Sequence, residues 1–150
     1  MMETIKDTSY GIIPLRKFGD EWKVFLIHQY SKIGNNTYWV FPKGHPEGEE
    51  TPIDTAKREL REETDMEVEK IIQEPNFKLT YNFKFNGKKI DKTVTFFLGL
   101  ITKDSFSLCP DEVKEADWYT LDEAVKRLDY QDTKLMFAEA RQFIATLPVA

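Results

Sequence analysis

At 150 residues the chain is long enough for one domain with a sizeable core, and 41% hydrophobic with 13% aromatic residues argues against disorder. A net charge of −5 gives no general attraction to nucleic acid or membrane, so no stable complex with either is expected, and an anionic ligand needs local cations or metal. The single cysteine, Cys109, excludes an internal disulfide, the opening MMETIKDTSYG has no apolar leader core, and no run reaches membrane-span length, so a cytoplasmic protein is expected.

Residues 9–15 and 22–28 read as β-strands rich in Ile, Val, Phe and Trp, joined by a turn at Phe18-Gly19-Asp20. Pro14 favours an edge or a bulge in the first of them. Residues 31–37 form a polar loop around Gly34-Asn35-Asn36, and the short strand 38–41 leads into Pro42-Lys43-Gly44. His28 ends its strand without an evident chemical role.

The segment GHPEGEETPIDTAKRELREETDM, residues 44–66, carries the chemistry. Thr51 caps a helix over 52–64, Pro52 suits its first position, and Asp54 sits where a capping-box acid belongs. On a 3.6-residue wheel Ile53, Ala56 and Leu60 form a core-facing side. Glu59, Glu62 and Glu63 form a neighbouring stripe at i, i+3 and i+4. Like charges so spaced repel by roughly 0.2–0.5 kcal/mol per pair. A cation among them removes that penalty, and hard carboxylate oxygens suit Mg²⁺ or Mn²⁺. A solvated acidic face with Arg58 and Arg61 as helix partners is the plainer alternative. The turn-rich Phe41-Pro42-Lys43-Gly44-His45 ahead of the helix offers amides and a lysine to anionic oxygens.

Further strands are expected at 67–72, 77–85 and 93–101, the last two joined by Asn86-Gly87, a hairpin signal. Phe77, Leu79, Tyr81, Phe83 and Phe85 alternate with polar residues, as in a strand with one covered face. An acidic loop at 108–115 and a short strand at 116–119 come next. Thr120-Leu121-Asp122-Glu123 is a capping box opening a helix to about Leu128. Asp132 is placed to cap a last helix that carries Leu135, Phe137, Ala138, Phe143 and Ile144 and ends before Pro148. The whole reads as a single domain, residues 1–150, with a mixed β-sheet between helices in an α/β/α sandwich.

The pattern G-x5-E-x7-R-E-U-x-E-E-x-G-U, with U aliphatic, is filled by Gly44, Glu50, Arg58, Glu59, Leu60, Glu62, Glu63 and Met66. Asp65 stands where the pattern has Gly. On these residues the chain resembles the Nudix hydrolases. The resemblance implies the Nudix fold and metal-dependent hydrolysis of a pyrophosphate link. It implies metal ligation by Glu59, Glu62 and Glu63, with one of them able to take a proton from water, Arg58 orienting a glutamate, and Gly44 offering backbone to the metal shell. Glu50 is either a helix-dipole acid or part of the catalytic set.

Phe-Pro-Lys-Gly-His, Tyr81, Lys92-Thr93-Val94 and Pro110-Asp111-Glu112 before Trp118 resemble the asymmetric dinucleoside tetraphosphate hydrolases within that family. In these the lysine and histidine contact the phosphate chain, here Lys43 and His45, and a loop glutamate, here Glu112, reaches the metals. A tetraphosphate bridge also calls for Lys89 and Lys92, and an adenine calls for an aromatic face, with Tyr81 and Phe137 as candidates. Both aromatics have a competing reading as core, and Lys88 reads as a solvated hairpin tip. The expected activity is cleavage of diadenosine tetraphosphate to ATP and AMP by a monomer or weak dimer. The alternatives are RNA 5′-pyrophosphohydrolysis, cleansing of nucleoside triphosphates, or a non-catalytic nucleotide-binding module.

Overall fold

The computed structural model describes residues 2–31 and 35–148, so Gly34 of the polar loop lies outside the described residues. Among the described residues, seven strands form one mixed sheet with central order β3-β2-β1-β6-β5, in which β4 pairs with β1 and β7 pairs with β2. The strands are β1 (Thr4–Phe18), β2 (Glu21–Tyr30), β3 (Thr37–Val40), β4 (Lys43–Gly44), β5 (Lys70–Phe85), β6 (Lys88–Leu100) and β7 (Val113–Thr120). The helices are α1 (Pro52–Thr64), α2 (Leu121–Arg127) and α3 (Gln131–Ile144). Of these strand pairs β1 and β6 run parallel, and the others are antiparallel.

The two-residue period of the strands divides the core. Ile13, Leu26, Phe96 and Leu98 face α2 and α3, where they meet Ala124, Leu128, Phe137, Ala140 and Ile144. Their sequence neighbours Ile12, Phe25, Ile27 and Phe97 face α1 and meet Ala56 and Leu60. The sheet is therefore covered on both sides, which is the expected α/β/α sandwich.

Pro14 lies opposite Gly99 in the interior of β1, not at an edge. There β1 changes its other partner, from β4 at Tyr10 and Gly11 to β2 from Leu15, so the missing N–H falls at a break in the ladder. The two strands expected at 67–72 and 77–85 are one strand, β5, whose register shifts between Ile72 and Phe77. Asn86 and Gly87 take φ of 51° and 73°, as the hairpin turn requires.

Thr51 caps α1 by accepting from the Asp54 amide at 3.2 Å, and both halves of the Thr120–Glu123 capping box open α2. The residue capping α3 is Tyr130, with no side-chain cap, and Asp132 sits inside the first turn. Leu135 is 59% exposed, so it adds nothing to the core.

Asp65 ends α1 in the left-handed conformation, φ 60° and ψ 21°, with its amide bonded to the Arg61 carbonyl. A glycine takes that conformation without Cβ strain. Asp65→Gly is expected to stabilise the protein by about 0.5–1 kcal/mol in denaturant unfolding, with turnover unchanged.

Candidate active site

The loop between β4 and α1 is held by one arginine. Arg58, nearly two turns into α1 and 16% exposed, reaches Glu50 through Nε at 2.8 Å and Nη2 at 3.1 Å. Nη2 also donates to the His45 carbonyl at 2.8 Å, and Nη1 donates to Glu59 at 3.0 Å and Glu62 at 3.2 Å. A planar fork with five donors is suited to this many acceptors, where a lysine is not. Glu50 is thus more than a dipole-favoured acid. It accepts from the Glu47 amide at 2.8 Å and the Thr55 hydroxyl at 3.0 Å, and it clamps Arg58.

Hydrogen bonds from Arg58 and the Glu47 amide hold the Glu50 carboxyl down at about 2, against an ordinary 4.5. A folded value below the unfolded one adds stability above pH 4.5 that is lost as pH falls toward 2. The thermal midpoint of the wild type should therefore fall more steeply across that window than the midpoint of Glu50→Gln.

β4 lies so close to α1 that a Cβ on residue 44 would collide with the Glu59 carboxyl group, so any side chain there would push this glutamate out of its place. On the buried side of α1, Glu63 is 2% exposed and its Oε2 has no hydrogen-bond partner. Burial pushes the Glu63 carboxyl well above its usual range, the charges of Glu59 and Glu112 add to this, and Lys43 opposes it. Burial also raises Glu59, against the pull of Arg58. The loop carrying Glu112 is tethered to the end of α1 by Ser107 N–H to the Thr64 carbonyl at 3.0 Å and Cys109 N–H to the Glu63 carbonyl at 3.4 Å.

A cleft of about 900 Å³ runs past these carboxylates. It is lined by Glu59, Glu62, Glu63 and Glu112, and also by Lys43, His45, Lys92, Tyr81 and Phe83. Two aromatic pairs border it: Tyr81 with Phe83 at 6.0 Å, and Tyr38 with Tyr130 at 4.8 Å. Tyr81 is 38% exposed, which settles its competing reading against core. The buried positions of β5 end at Leu79: Phe77 packs on Phe143 of α3 at 6.4 Å, whereas Tyr81, Phe83 and Phe85 are exposed.

Two expected contacts are not there. Phe137 is fully buried, packed on Phe41 at 5.4 Å, and offers no face to a base. Lys89 lies 3.9 Å from Asp91 and outside the cleft, because strand parity puts it on the opposite face of β6 from Lys92. The cleft also contains Asp7, Ser9 and Tyr130, which no sequence motif marked.

Among the described residues no three His, Cys, Asp or Glu side chains converge as a ready metal cage. Glu59 and Glu62 are both turned to Arg58 Nη1. The donor set nonetheless suits a hard divalent cation: clustered carboxylate oxygens, one of them buried and unpartnered, beside a backbone with no Cβ at residue 44.

Residues 6–140 match the family model of the NUDIX domain. The chain belongs to the Nudix family. It is 27% identical over 139 residues to the asymmetrical bis(5′-nucleosyl)-tetraphosphatase of Rattus norvegicus, covering 83% of this chain and 93% of that one. It is 30% identical over 149 residues to a putative mutator protein MutT4 of Mycobacterium tuberculosis, covering 97% of this chain and 59% of the other. The fold matches a C. elegans Ap4A hydrolase binary complex with a TM-score of 0.80 at 24% identity, over 94% of this chain and 99% of that one. Nudix hydrolases generally use divalent metal ions, and the expected fold and family both hold for this chain. No helix among the described residues is long and apolar enough to cross a membrane.

Proposed function

We propose that this Nudix hydrolase cleaves diadenosine tetraphosphate asymmetrically, to ATP and AMP, in one domain spanning residues 1–150. The observation that carries the reading is the single cleft in which the glutamates, Lys43, His45, Lys92 and two aromatic pairs meet. Its volume of about 900 Å³ lies near the top of the usual range for small-ligand sites, roughly 300–1,000 Å³. That suits a ligand with two nucleosides. The relationship to the rat tetraphosphatase supports the same choice.

Mg²⁺, or Mn²⁺ in its place, would be held by Glu59, Glu62, Glu63 and Glu112 with the Gly44 backbone, and when bound it neutralises phosphate oxygens and makes water a better nucleophile. Lys43, His45 and Lys92 hold the phosphate chain as point-charge and hydrogen-bonding partners. Tyr81 stacks on an adenine, a contact worth roughly 1–3 kcal/mol. Arg58 and Glu50 fix the angle of the helix and loop that present the glutamates. Glu63 takes the proton of the attacking water, being the buried carboxylate with a free oxygen. A reducing, cytoplasmic setting belongs to this reading, with Cys109 unpaired.

Purified protein, diadenosine tetraphosphate and Mg²⁺ should give ATP and AMP in equal amounts on ion-exchange chromatography, and nothing in EDTA. Two molecules of ADP, or no turnover alongside rapid hydrolysis of nucleoside triphosphates or triphosphorylated RNA, would replace the proposal with another Nudix activity. Saturable binding without metal-stimulated turnover of any of these would make the chain a sensor.

A further inference from the structure

The parallel pairing of β1 with β6 sets Asp7 directly opposite Lys92. Lys92 Nζ donates to Asp7 Oδ2 at 2.8 Å and to Ser9 Oγ at 2.5 Å. Lys92 is 5% exposed and Ser9 1%, so a buried ammonium is held at the cleft wall between a buried hydroxyl and the half-buried Asp7. His45 Nε2 lies 3.0 Å from the same Asp7 oxygen and 3.0 Å from Lys92 Nζ. Nε2 accepts from the Lys92 ammonium in one tautomer and donates to Asp7 in the other, and in both it closes a triangle with the two side chains. A ligand in the cleft reaches Lys92 at the N–H that Asp7 and Ser9 do not hold, the one directed toward His45.

Burial pushes the Asp7 carboxyl up, but hydrogen bonds from His45 and Lys92 outweigh it and keep the group below its ordinary value. Asp7 is therefore a fixed negative charge beside Lys92 and His45, the two side chains of this wall that face the phosphate chain. With hydrogen bonds near 2.8 Å and tetrahedral ammonium geometry, a phosphate oxygen on the remaining Lys92 proton sits about 4–5 Å from Asp7 Oδ2.

We propose that Asp7 is a specificity-determining residue, whose carboxylate fits the Lys92–His45 subsite to an internal, singly charged phosphate and disfavours a terminal, doubly charged one. This rests on the reading of the cleft as a polyphosphate site. A phosphate inside a chain carries one charge, whereas a terminal one carries about 1.5 to 2 at neutral pH. The additional charge, about 4–5 Å from Asp7 and partly screened by solvent, costs about tenfold in affinity. The ligand class favoured is a polyphosphate capped by nucleosides at both ends. The class disfavoured is the same chain with one free end.

The test is titration calorimetry with diadenosine tetraphosphate and adenosine 5′-tetraphosphate, in Mg²⁺ and in a Glu63→Gln background so that neither is consumed. Without Asp7→Asn the capped ligand should bind more tightly. With Asp7→Asn its advantage should shrink about tenfold, because the uncapped chain gains more. Ser9→Ala removes a Lys92 hydrogen bond but keeps the charge, and should leave the ratio unchanged. An unchanged ratio in Asp7→Asn, or an equal loss of preference in Ser9→Ala, overturns the proposal. Failure of the functional reading shows separately, as absence of ATP and AMP from diadenosine tetraphosphate with the unmutated enzyme.

Discussion

Glu63→Gln should lower kcat by roughly 10²–10⁴-fold while making the metal-free protein more stable. The two effects have one cause. Glu63 is 2% exposed, with Oε2 unpartnered and the charges of Glu59 and Glu112 nearby. Its folded-state proton affinity is raised, so the unfolded chain gives up the proton more readily. The destabilisation begins above the ordinary 4.5 and grows with pH until the folded group also ionises. A neutral glutamine removes it and can donate to the carboxylates around it, a gain of about 1–3 kcal/mol at neutral pH. Denaturant unfolding in EDTA reads the gain. Added Mg²⁺ should raise the thermal midpoint of the wild type and raise that of the variant much less, because ligand binding stabilises only the state that binds it. A variant that keeps its turnover would remove Glu63 from the reaction. Loss of turnover with loss of stability would make it a structural group.

The parts of this molecule that were legible in the sequence are those whose partners lie within a few residues of one another. The α1 stripe, its Thr51 cap, the Asn86-Gly87 turn and the left-handed Asp65 follow from helix period, capping and turn chemistry, and each is found where expected. The clamp of Glu50 on Arg58, eight residues away, spans a loop and a helix turn. Spacing alone therefore left Glu50 open between two roles. The Asp7–Lys92–Ser9 cluster was invisible, since Lys92 lies 83 and 85 residues from Ser9 and Asp7 and meets them only through the parallel register of β1 and β6. Lys89 was misplaced for a related reason. A run of lysines advertises charge, but only the strand register shows which of them reach the cleft, and one residue of offset reverses the face. Tyr130, at the start of α3, belongs to the cleft with no local signal, because its neighbour Tyr38 comes from β3.

Phe137 is the case in which the expectation of an aromatic face misled and the competing core reading holds, and its removal should have the largest effect on stability. Helical spacing puts it on the apolar side of α3, but spacing does not say whether that side meets a ligand or the sheet. It meets the sheet. Phe137 is fully buried and packs on Phe41 at 5.4 Å, which in turn packs on Phe96 of β6 at 5.9 Å. Phe41 and Phe96 both line the cleft, so Phe137 supports the cleft floor from behind. Phe137→Ala loses the transfer energy of the ring and leaves a cavity, together about 3–5 kcal/mol. That is a large part of the roughly 5–15 kcal/mol that holds a domain together, and a fall in thermal midpoint on the order of 10 °C should accompany it. Assayed well below that midpoint, KM for diadenosine tetraphosphate should stay within about twofold of the wild type, whereas Tyr81→Ala should raise it by roughly 5- to 150-fold, as loss of a stacked base predicts. A Phe137→Ala protein of unchanged stability with a strongly raised KM would return the ring to the nucleotide. The expected split instead places base recognition on the exposed part of β5, beyond its last buried position, Leu79.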